Sequence, residues 1–506
     1  MGYDLRSFVD DLKKAGELVE INDETDWNFE IPAYDVISGR FNGPALLFNN
    51  VKGCFPGSRA LVGHFSGTFQ KPHKRCAVAF GIDPTIDRPG WFRELAPRMK
   101  SMLRPVQVAS GPCKEVILKG KEINLLEFPF TYHAIGDGGR YIFSAATTIK
   151  DPDSAWINTG QYAIEVYSRN RLVITPYAHS NFRAIYANKY EARGESMPVA
   201  IALGGDPAIS LSAGMMLPPG VTEFDLAGGL RGAPIELIKA ETSDLLVPAH
   251  AEVIIEGEIR PYERLPEGPK IETFGFSTGP RQPFFAIRVH CITHRKNPII
   301  PDIHTALCAG ADSLQETLHP YAHFVQVRML GLPMRLGSAG APIRSGATGR
   351  NPVIKKKLPE DYPGFMQDVI NKVMGQPGLG GVFAAQAFYD HDVNHLDFGD
   401  FYEALFTQTN PARDVIKTEF KYPVMTIESS WMEEEDREKF VGPGVLLGNK
   451  LTIDATTKEE PPMGVRRLAF ESMFPRETQD WVLQNWERLG FTEETRTSWS
   501  WNEADL

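Results

Sequence analysis

The sequence predicts a mixed α/β and β protein in three parts: an N-terminal α/β piece, a β-rich middle and a C-terminal α/β domain. Three observations predict it. The chain has 506 residues, and a domain holds roughly 100–200, so one core is not enough. Between residues 115 and 300, short apolar runs recur at the density of a β-barrel or sandwich. From residue 360, helical and strand-like spacings alternate again.

The first twenty residues, MGYDLRSFVDDLKKAGELVE, place Leu5, Phe8, Val9 and Leu12 on one helical face. Leu18 to Ile21 then has strand character, and short apolar runs follow at Pro44–Phe48 and Ala60–Gly63. Residues 88–104 return to helical spacing. The middle has runs at Tyr141–Ile149, Tyr162–Tyr167, Leu172–Thr175, Val199–Leu203, Ile235–Ile238, Glu252–Ile259 and Phe284–Thr293. Between two of them, Ser168-Arg169-Asn170-Arg171 predicts a hairpin turn. Residues 305–350 hold a helix-like piece and the Gly-rich stretch LGSAGAPIRSGATGR. That stretch has loop composition and lacks the GxxxxGK(S/T) pattern of a phosphate cradle. Beyond it, Phe365, Val369 and Val373 have helical spacing, and Gly381–Phe388 reads as a buried strand. Asp397–Gln408 reads as a helix, Val424–Ile427 as a strand and Glu477–Leu489 as a final helix.

Composition narrows the function. A hydrophobic fraction of 42% and a charged fraction of 23% are those of an ordinary globular protein. The net charge of −11 opposes tight binding to nucleic acid or an anionic membrane, both of which need clustered cations. The longest basic run is only Lys355-Lys356-Lys357. The N-terminal segment lacks a signal peptide's apolar stretch, and Arg6 stands where myristoylation needs Ser or Thr. No stretch approaches 18 uninterrupted apolar residues, so no membrane span is expected. Cys54, Cys76, Cys113, Cys291 and Cys308 are scattered without a CxxC. They predict buried thiols in a reducing cytoplasm rather than disulfides or a thiolate zinc site.

Four blocks in the middle stand out: WINTGQYA (156–163), TPYAHSN (175–181), VTEFDLAGGLRG (221–232) and LPEGPKIE (265–272). Later come Asp-Val-Asn at 392–394, NPARD (410–414) and DATTK (454–458). In order and spacing, the set resembles the UbiD family of prenylated-FMN-dependent decarboxylases and carboxylases, over most of the chain. The resemblance implies an N-terminal α/β domain over 1–112 and a split β-barrel of the flavin-reductase kind over 113–305. A linker helix and loop over 306–350 and a C-terminal α/β oligomerisation domain over 351–506 complete it. It further implies a homodimer or homohexamer, a small aromatic or unsaturated acid as substrate, and a flavin prenyltransferase as cofactor supplier.

Asn158, His179 and Glu223 offer an amide oxygen, an imidazole nitrogen and a carboxylate, 21 and then 44 residues apart. Such an oxygen-rich set suits Mn²⁺ or Mg²⁺ rather than structural zinc. Taken alone, the three read as a buried amide, a core imidazole and a surface acid in unrelated places. The resemblance assigns them to a divalent metal, usually manganese, that grips the phosphate of prenylated FMN. It also lays Trp156, Thr159, Gly160, Gln161, Tyr162 and Ala163 along the flavin, and Ala178 beside the His179 ligand. The backbone of Met215 falls near a potassium ion, and Lys417 or Lys458 near the phosphate.

Glu267 and Glu272 lie in a loop that Gly268 and Pro269 keep irregular. Paired acids in a closed pocket raise one another's pKa, so one can deliver a proton near neutral pH. The resemblance makes Glu272 the proton donor and Glu267 its partner. One departure stands out: where the family places an Arg beside these acids, this chain has Ala163. Arg140, Arg169 and Arg183 are the nearby alternatives. The loss leaves open an unusual aromatic acid, an aryl thioester, the carboxylating direction or a non-catalytic subunit of a carboxylase complex, and the same Asn, His and Glu leave open a metal-dependent lyase or hydrolase without flavin.

Overall fold

The structure is a computed structural model. It describes residues 3–68, 71, 73–86, 88–176, 180–215, 217–271, 277–278 and 281–303. In the C-terminal third it describes 334–338, 350–354, 365–374, 385–390, 398–420, 441–442, 445–446, 448–456 and 474–490. The chain divides into two compact units: Met1–Ile86 with Glu94–His319 and Arg344–Gly346, and the remainder.

The chain begins with the helix Leu5–Lys14, which buries Leu5, Phe8, Val9 and Leu12, the face its periodicity predicts. Asp4 caps it by accepting from the Ser7 N–H, and Arg295 reaches the other Asp4 carboxylate oxygen at 2.7 Å. A four-stranded sheet follows in the order Leu18–Ile21, Ala45–Phe48, Arg59–Val62, Ile299–Pro301. Its last strand comes from beyond the β-rich middle, which places the N-terminal piece and the middle in one unit.

The middle is a nine-stranded sheet. We number its strands β1 (Val116–Lys119), β2 (Arg140–Ile142), β3 (Ala145–Lys150), β4 (Ile157–Gln161), β5 (Ala163–Ser168), β6 (Arg171–Thr175), β7 (Met197–Leu203), β8 (Val253–Glu267) and β9 (Gln282–His294). The order is β2-β5-β6-β9-β8-β7-β3-β4, with β1 paired to β9. Connectivity forces this sheet to curl. A single residue, Tyr162, joins β4 at one edge to β5, six strands away. In a flat sheet that separation is about 29 Å, while two consecutive peptide units span at most about 7 Å. The link from β2 to β3, Phe143-Ser144, imposes the same closure. The result is a half-barrel whose two edges meet at a seam, as the split barrel requires.

Alternation fills it. Ile164 and Val166 of β5, Leu172 and Ile174 of β6, and Val253, Ile255 and Ile259 of β8 share one apolar core. The residues between them, Glu165 among others, face the opposite side. The turn after β5 is the expected hairpin, with Arg171 opposite Ser168. The run Tyr141–Ile149 is divided at Phe143-Ser144 into β2 and β3, because its two halves belong to opposite edges.

The second unit contains a mixed five-stranded sheet in the order Met334–Ser338, Arg350–Ile354, Ala385–Asp390, Gly448–Ala455, Val415–Phe420. Helices Phe365–Met374, Phe398–Gln408 and Arg476–Gln484 accompany it. The expected strand Val424–Ile427 lies outside the described residues. Among the described residues, no helix is long and apolar enough to cross a membrane.

Candidate active site

The seam gathers the first group of residues. Asn158 on β4 is 2% exposed and stands opposite Ile149 in the ladder. Glu223, 3% exposed, is the first residue of the helix Glu223–Arg231. Its carboxylate accepts the Thr159 N–H at 2.7 Å, which locks the start of the helix to β4. The Trp156 indole N–H donates to the Val221 carbonyl at 2.9 Å and fixes the segment entering that helix. The Tyr162 phenol is hydrogen-bonded to the side chains of Asn158 and Ser180 and feels the charge of Glu223. Glu223 thus bonds the residue next to Asn158, and Asn158 itself bonds the Tyr162 phenol.

Burial pushes the Glu223 carboxyl up to about 8, only partly offset by the Thr159 N–H. Among the described residues no Lys or Arg pairs with it. The hydroxyls of Thr222, just before Glu223, and of Ser212 are buried without a protein partner among the described residues. A buried acid without a countercharge, beside an amide oxygen, fits a hard divalent cation. Among the described residues no group of three or more His, Cys, Asp or Glu forms a metal cluster. Ala178 and His179 lie outside the described residues.

The other seam residues are placed as follows. Gly160 has no room for a side chain: a Cβ there would lie 2.3 Å from the Tyr162 hydroxyl. Gln161 donates its amide to the Phe143 carbonyl at 2.8 Å. Ala163 opens β5 opposite Thr175, whose hydroxyl donates to the Ala163 carbonyl at 3.1 Å. Met215 is buried after the helix Pro207–Ala213, and its N–H donates to the Ser212 carbonyl at 3.0 Å. Lys417 is exposed on the strand Val415–Phe420 of the second unit.

A second group surrounds Glu267, the last residue of β8. The Tyr141 hydroxyl donates to Glu267 at 2.9 Å and lies 3.2 Å from Glu165. Glu165 also accepts the Gly268 N–H at 3.0 Å and Arg281 at 2.7 Å. Lys270 brings its ammonium to 3.6 Å from Glu267. Glu165 and Glu267 are almost fully buried. The loop is fixed from outside by residues 137–138. The Gly138 N–H donates to the Pro269 carbonyl at 2.7 Å, and Asp137 accepts the Ile271 N–H at 3.1 Å. Burial raises the Tyr141 phenol and Asp137 above their usual ranges. The Tyr141 ring stacks on Phe143 at 5.4 Å, and Phe143 on His133 at 4.9 Å. Since Phe143 also holds Gln161, this aromatic wall connects the acids to the seam. Glu272 lies outside the described residues.

Sequence reasoning missed Tyr141, Glu165, Lys270 and Arg281. Glu165 left a trace, a lone acid between Ile164 and Val166 in a strand with buried spacing. Lys270 stood in view inside the block LPEGPKIE, three residues after Glu267, whereas Arg281 left no trace, because only folding brings it to Glu165. The expected alternatives go elsewhere: Arg140 stacks on Trp27 at 3.2 Å, and Arg183 lies 5.9 Å from the Phe285 ring.

Comparison with known proteins agrees with this architecture. The family models for the 3-octaprenyl-4-hydroxybenzoate carboxy-lyase N-terminal domain and Rift-related domain match residues 9–89 and 104–307. A phenolic acid decarboxylase from Streptomyces sp. is 30% identical over 479 residues, covering 91% of this chain and 94% of that protein. Pyrrole-2-carboxylic acid decarboxylase from Pseudomonas aeruginosa is 31% identical over 350 residues, covering 67% and 68%. Vanillic acid decarboxylase of Sedimentibacter hydroxybenzoicus, in closed form, superposes with a TM-score of 0.80 at 25% identity over 97% of this chain and 99% of that one. An evolved dimeric form of the UbiD-class enzyme HmfF from Pelotomaculum thermopropionicum, in complex with prFMN, gives 0.69 at 26% identity over 94% and 100%. A chain with this split barrel, matched by these relatives along most of its length, belongs to the UbiD family of carboxy-lyases.

Proposed function

We propose that the protein removes the carboxyl group of a small aromatic or α,β-unsaturated acid with prenylated FMN. A divalent cation, manganese or magnesium, would be held by Asn158, His179 and Glu223. The observation that carries this reading is the meeting of Asn158 and Glu223 at the seam. Relatives that decarboxylate aromatic acids and a structural neighbour that holds prFMN support it.

Loss of CO₂ from an sp² carbon leaves an electron pair that no side chain accepts, and bound prenylated FMN supplies the sink. The rest falls to the chain's residues. Asn158 and Glu223 would offer oxygens to the cation, whose charge would offset the burial of the Glu223 carboxylate. Trp156, Thr159, Gly160, Gln161, Tyr162 and Ala163 would line the flavin. Ala178 and Met215 would border it. The aromatic wall of Tyr141 and Phe143 orients the substrate ring and excludes water. Tyr141 holds Glu267 in place, and Glu272 protonates the carbon that has lost its carboxyl group. By microscopic reversibility, the same residues serve carboxylation when CO₂ is in excess.

Co-expression with a flavin prenyltransferase tests the reading. The expected product is a coloured protein that holds manganese and decarboxylates members of a panel of aromatic and acrylic acids. Glu223→Gln should lower Mn²⁺ affinity at least tenfold, read by electron paramagnetic resonance whether or not the protein turns over. A colourless active protein would point to a flavin-independent metal lyase. Bound cofactor without turnover would point to a subunit of a carboxylase complex. In deuterated buffer, unchanged turnover by Glu272→Gln would remove that residue from proton delivery.

A further inference from the structure

The phenol proton of Tyr141 lies between two buried carboxylates. Tyr141 and Glu165 stand opposite each other in the β2–β5 ladder, so register alone brings them together. Strand β8 delivers its last residue, Glu267, to the same phenol. The Tyr141 oxygen is 2.9 Å from Glu267 Oε1, 3.2 Å from Glu165 Oε2 and 3.3 Å from the Pro269 carbonyl. A phenol has one hydrogen to give. It goes to the acceptor whose negative charge is least compensated by other donors.

Arg281 sets how strongly Glu165 competes. Glu165 is 2% exposed. Its Oε1 accepts the Arg281 guanidinium at 2.7 Å, and its Oε2 accepts the Gly268 N–H at 3.0 Å. Arg281 also donates to the Pro266 carbonyl at 2.7 Å and to the Gly138 carbonyl at 3.0 Å. Three acceptors thus fix a planar group in one orientation. The backbone lies directly against this ion pair. A Cβ on Gly139 would stand 3.0 Å from Glu165 Oε1, and one on Gly138 2.8 Å from Arg281 Nη1. With the charge of Glu165 met, the shorter phenol bond runs to Glu267. Without the guanidinium, a carboxylate this deeply buried takes either the phenol hydrogen or a proton of its own. The other ionisable groups here are Asp137 near the phenol, Lys270 beside Glu267, His133 beyond Phe143, and Tyr132 near Arg281.

We propose that Arg281 is a positioning residue of the acid loop: by neutralising Glu165 it directs the Tyr141 hydroxyl to Glu267 and keeps that acid in its working orientation. This deepens the decarboxylase reading and rests on it for the reaction that Glu267 serves. Arg281 acts through Glu165 and Tyr141, so its effect disappears when Glu165 carries no charge.

The test uses the full chain loaded with cofactor and Mn²⁺, with an aromatic acid that it turns over. A second readout needs no turnover: the carbon-13 resonance of the Tyr141 phenol carbon in protein labelled at tyrosine Cζ, assigned by its loss in Tyr141→Phe. Arg281→Met should lower kcat about tenfold or more while KM stays within about twofold. It should also shift the Tyr141 resonance. The loss should shrink as pH falls and Glu165 takes up a proton. In a Glu165→Gln background, Arg281→Met should cost less than about threefold and leave the resonance in place. Arg281→Lys keeps the charge and should keep both readouts. If Arg281→Met does not fold, Arg281→Gln gives the same reading. A merely structural tie to the two carbonyls would cost the same with or without Glu165→Gln, and at every pH. That result, or a rise in KM with kcat unchanged, overturns the proposal. Turnover with a Tyr141 resonance indifferent to Arg281 rejects the positioning role and leaves the decarboxylase. A resonance that follows Arg281 and Glu165 in a protein that turns over no acid rejects the decarboxylase and leaves the positioning role.

Discussion

Two histidines show how single buried groups set the pH response. His64 is 1% exposed, and burial holds its imidazole down to about 3 against the pull of Asp302. The unfolded chain takes up this proton below pH 6.5 and the folded one does not, so stability falls as pH drops from 6.5 towards 3. His133 is buried too, and burial opposes its charge. Asp302, at 2.8 Å, and the charges of Asp137 and Asp35 nonetheless raise its pKa. Its contribution is complete below 6.5 and is lost as pH rises through the folded value. His64→Phe should therefore flatten the acid limb of a melting-temperature profile, and His133→Phe the alkaline limb. Each slope is at most about 1.4 kcal/mol per pH unit. At the seam, Gly160→Ala should force the Tyr162 ring aside. We expect a loss of about 1–3 kcal/mol in urea denaturation and a Mn²⁺ affinity at least tenfold lower.

At the scale of elements, what a segment does depended on information of different range. The helix Leu5–Lys14 was legible because four apolar residues at helical spacing determine its buried face. The hairpin at 168–171 was legible because its turn residues are local. Strand β4 was read only as a motif block, since Asn158 and Gly160 disfavour strands and gain their place from pairing with β3. The division of Tyr141–Ile149 was invisible because Phe143 and Ser144 carry no turn signal, and barrel closure alone decides the break. Residues 137–138 make the same point. A Cβ on Gly138 would lie 2.2 Å from the Gly268 carbonyl oxygen, a demand that no neighbouring residue reveals. Gly138→Ala should therefore push the Glu267 loop outward. We expect kcat to fall at least tenfold while Mn²⁺ affinity at the seam is unchanged, a difference that steady-state kinetics and metal titration can read together.

For the molecule as a whole, the mixed α/β and β class could be read from the rhythm of apolar runs. Which strands neighbour one another could not, because the order β2-β5-β6-β9-β8-β7-β3-β4 depends on contacts over a hundred residues apart. The site inherits this split. Asn158, Glu223 and Lys270 stand in the quoted sequence blocks, whereas Tyr141, Glu165 and Arg281 join the acid loop only through the fold. The long β8–β9 ladder, paired from Val253 with His294 to Glu267 with Gln282, forms the centre of the sheet. Its amides should exchange most slowly with deuterium, while edge strands β2 and β4 should exchange early and gain protection when cofactor and Mn²⁺ are added.

Tyr162 and the pair Phe143-Ser144 carry the chain across the meeting of the two sheet edges. A cation shared by β4 and the helix behind it would act as a clasp on that opening. Every tenfold gain in its affinity would then add, at saturating concentration, about 1.4 kcal/mol of resistance to unzipping. Loading the enzyme would thus double as the last step of its folding, and chains that never acquire their cargo would be the first that cellular proteases remove.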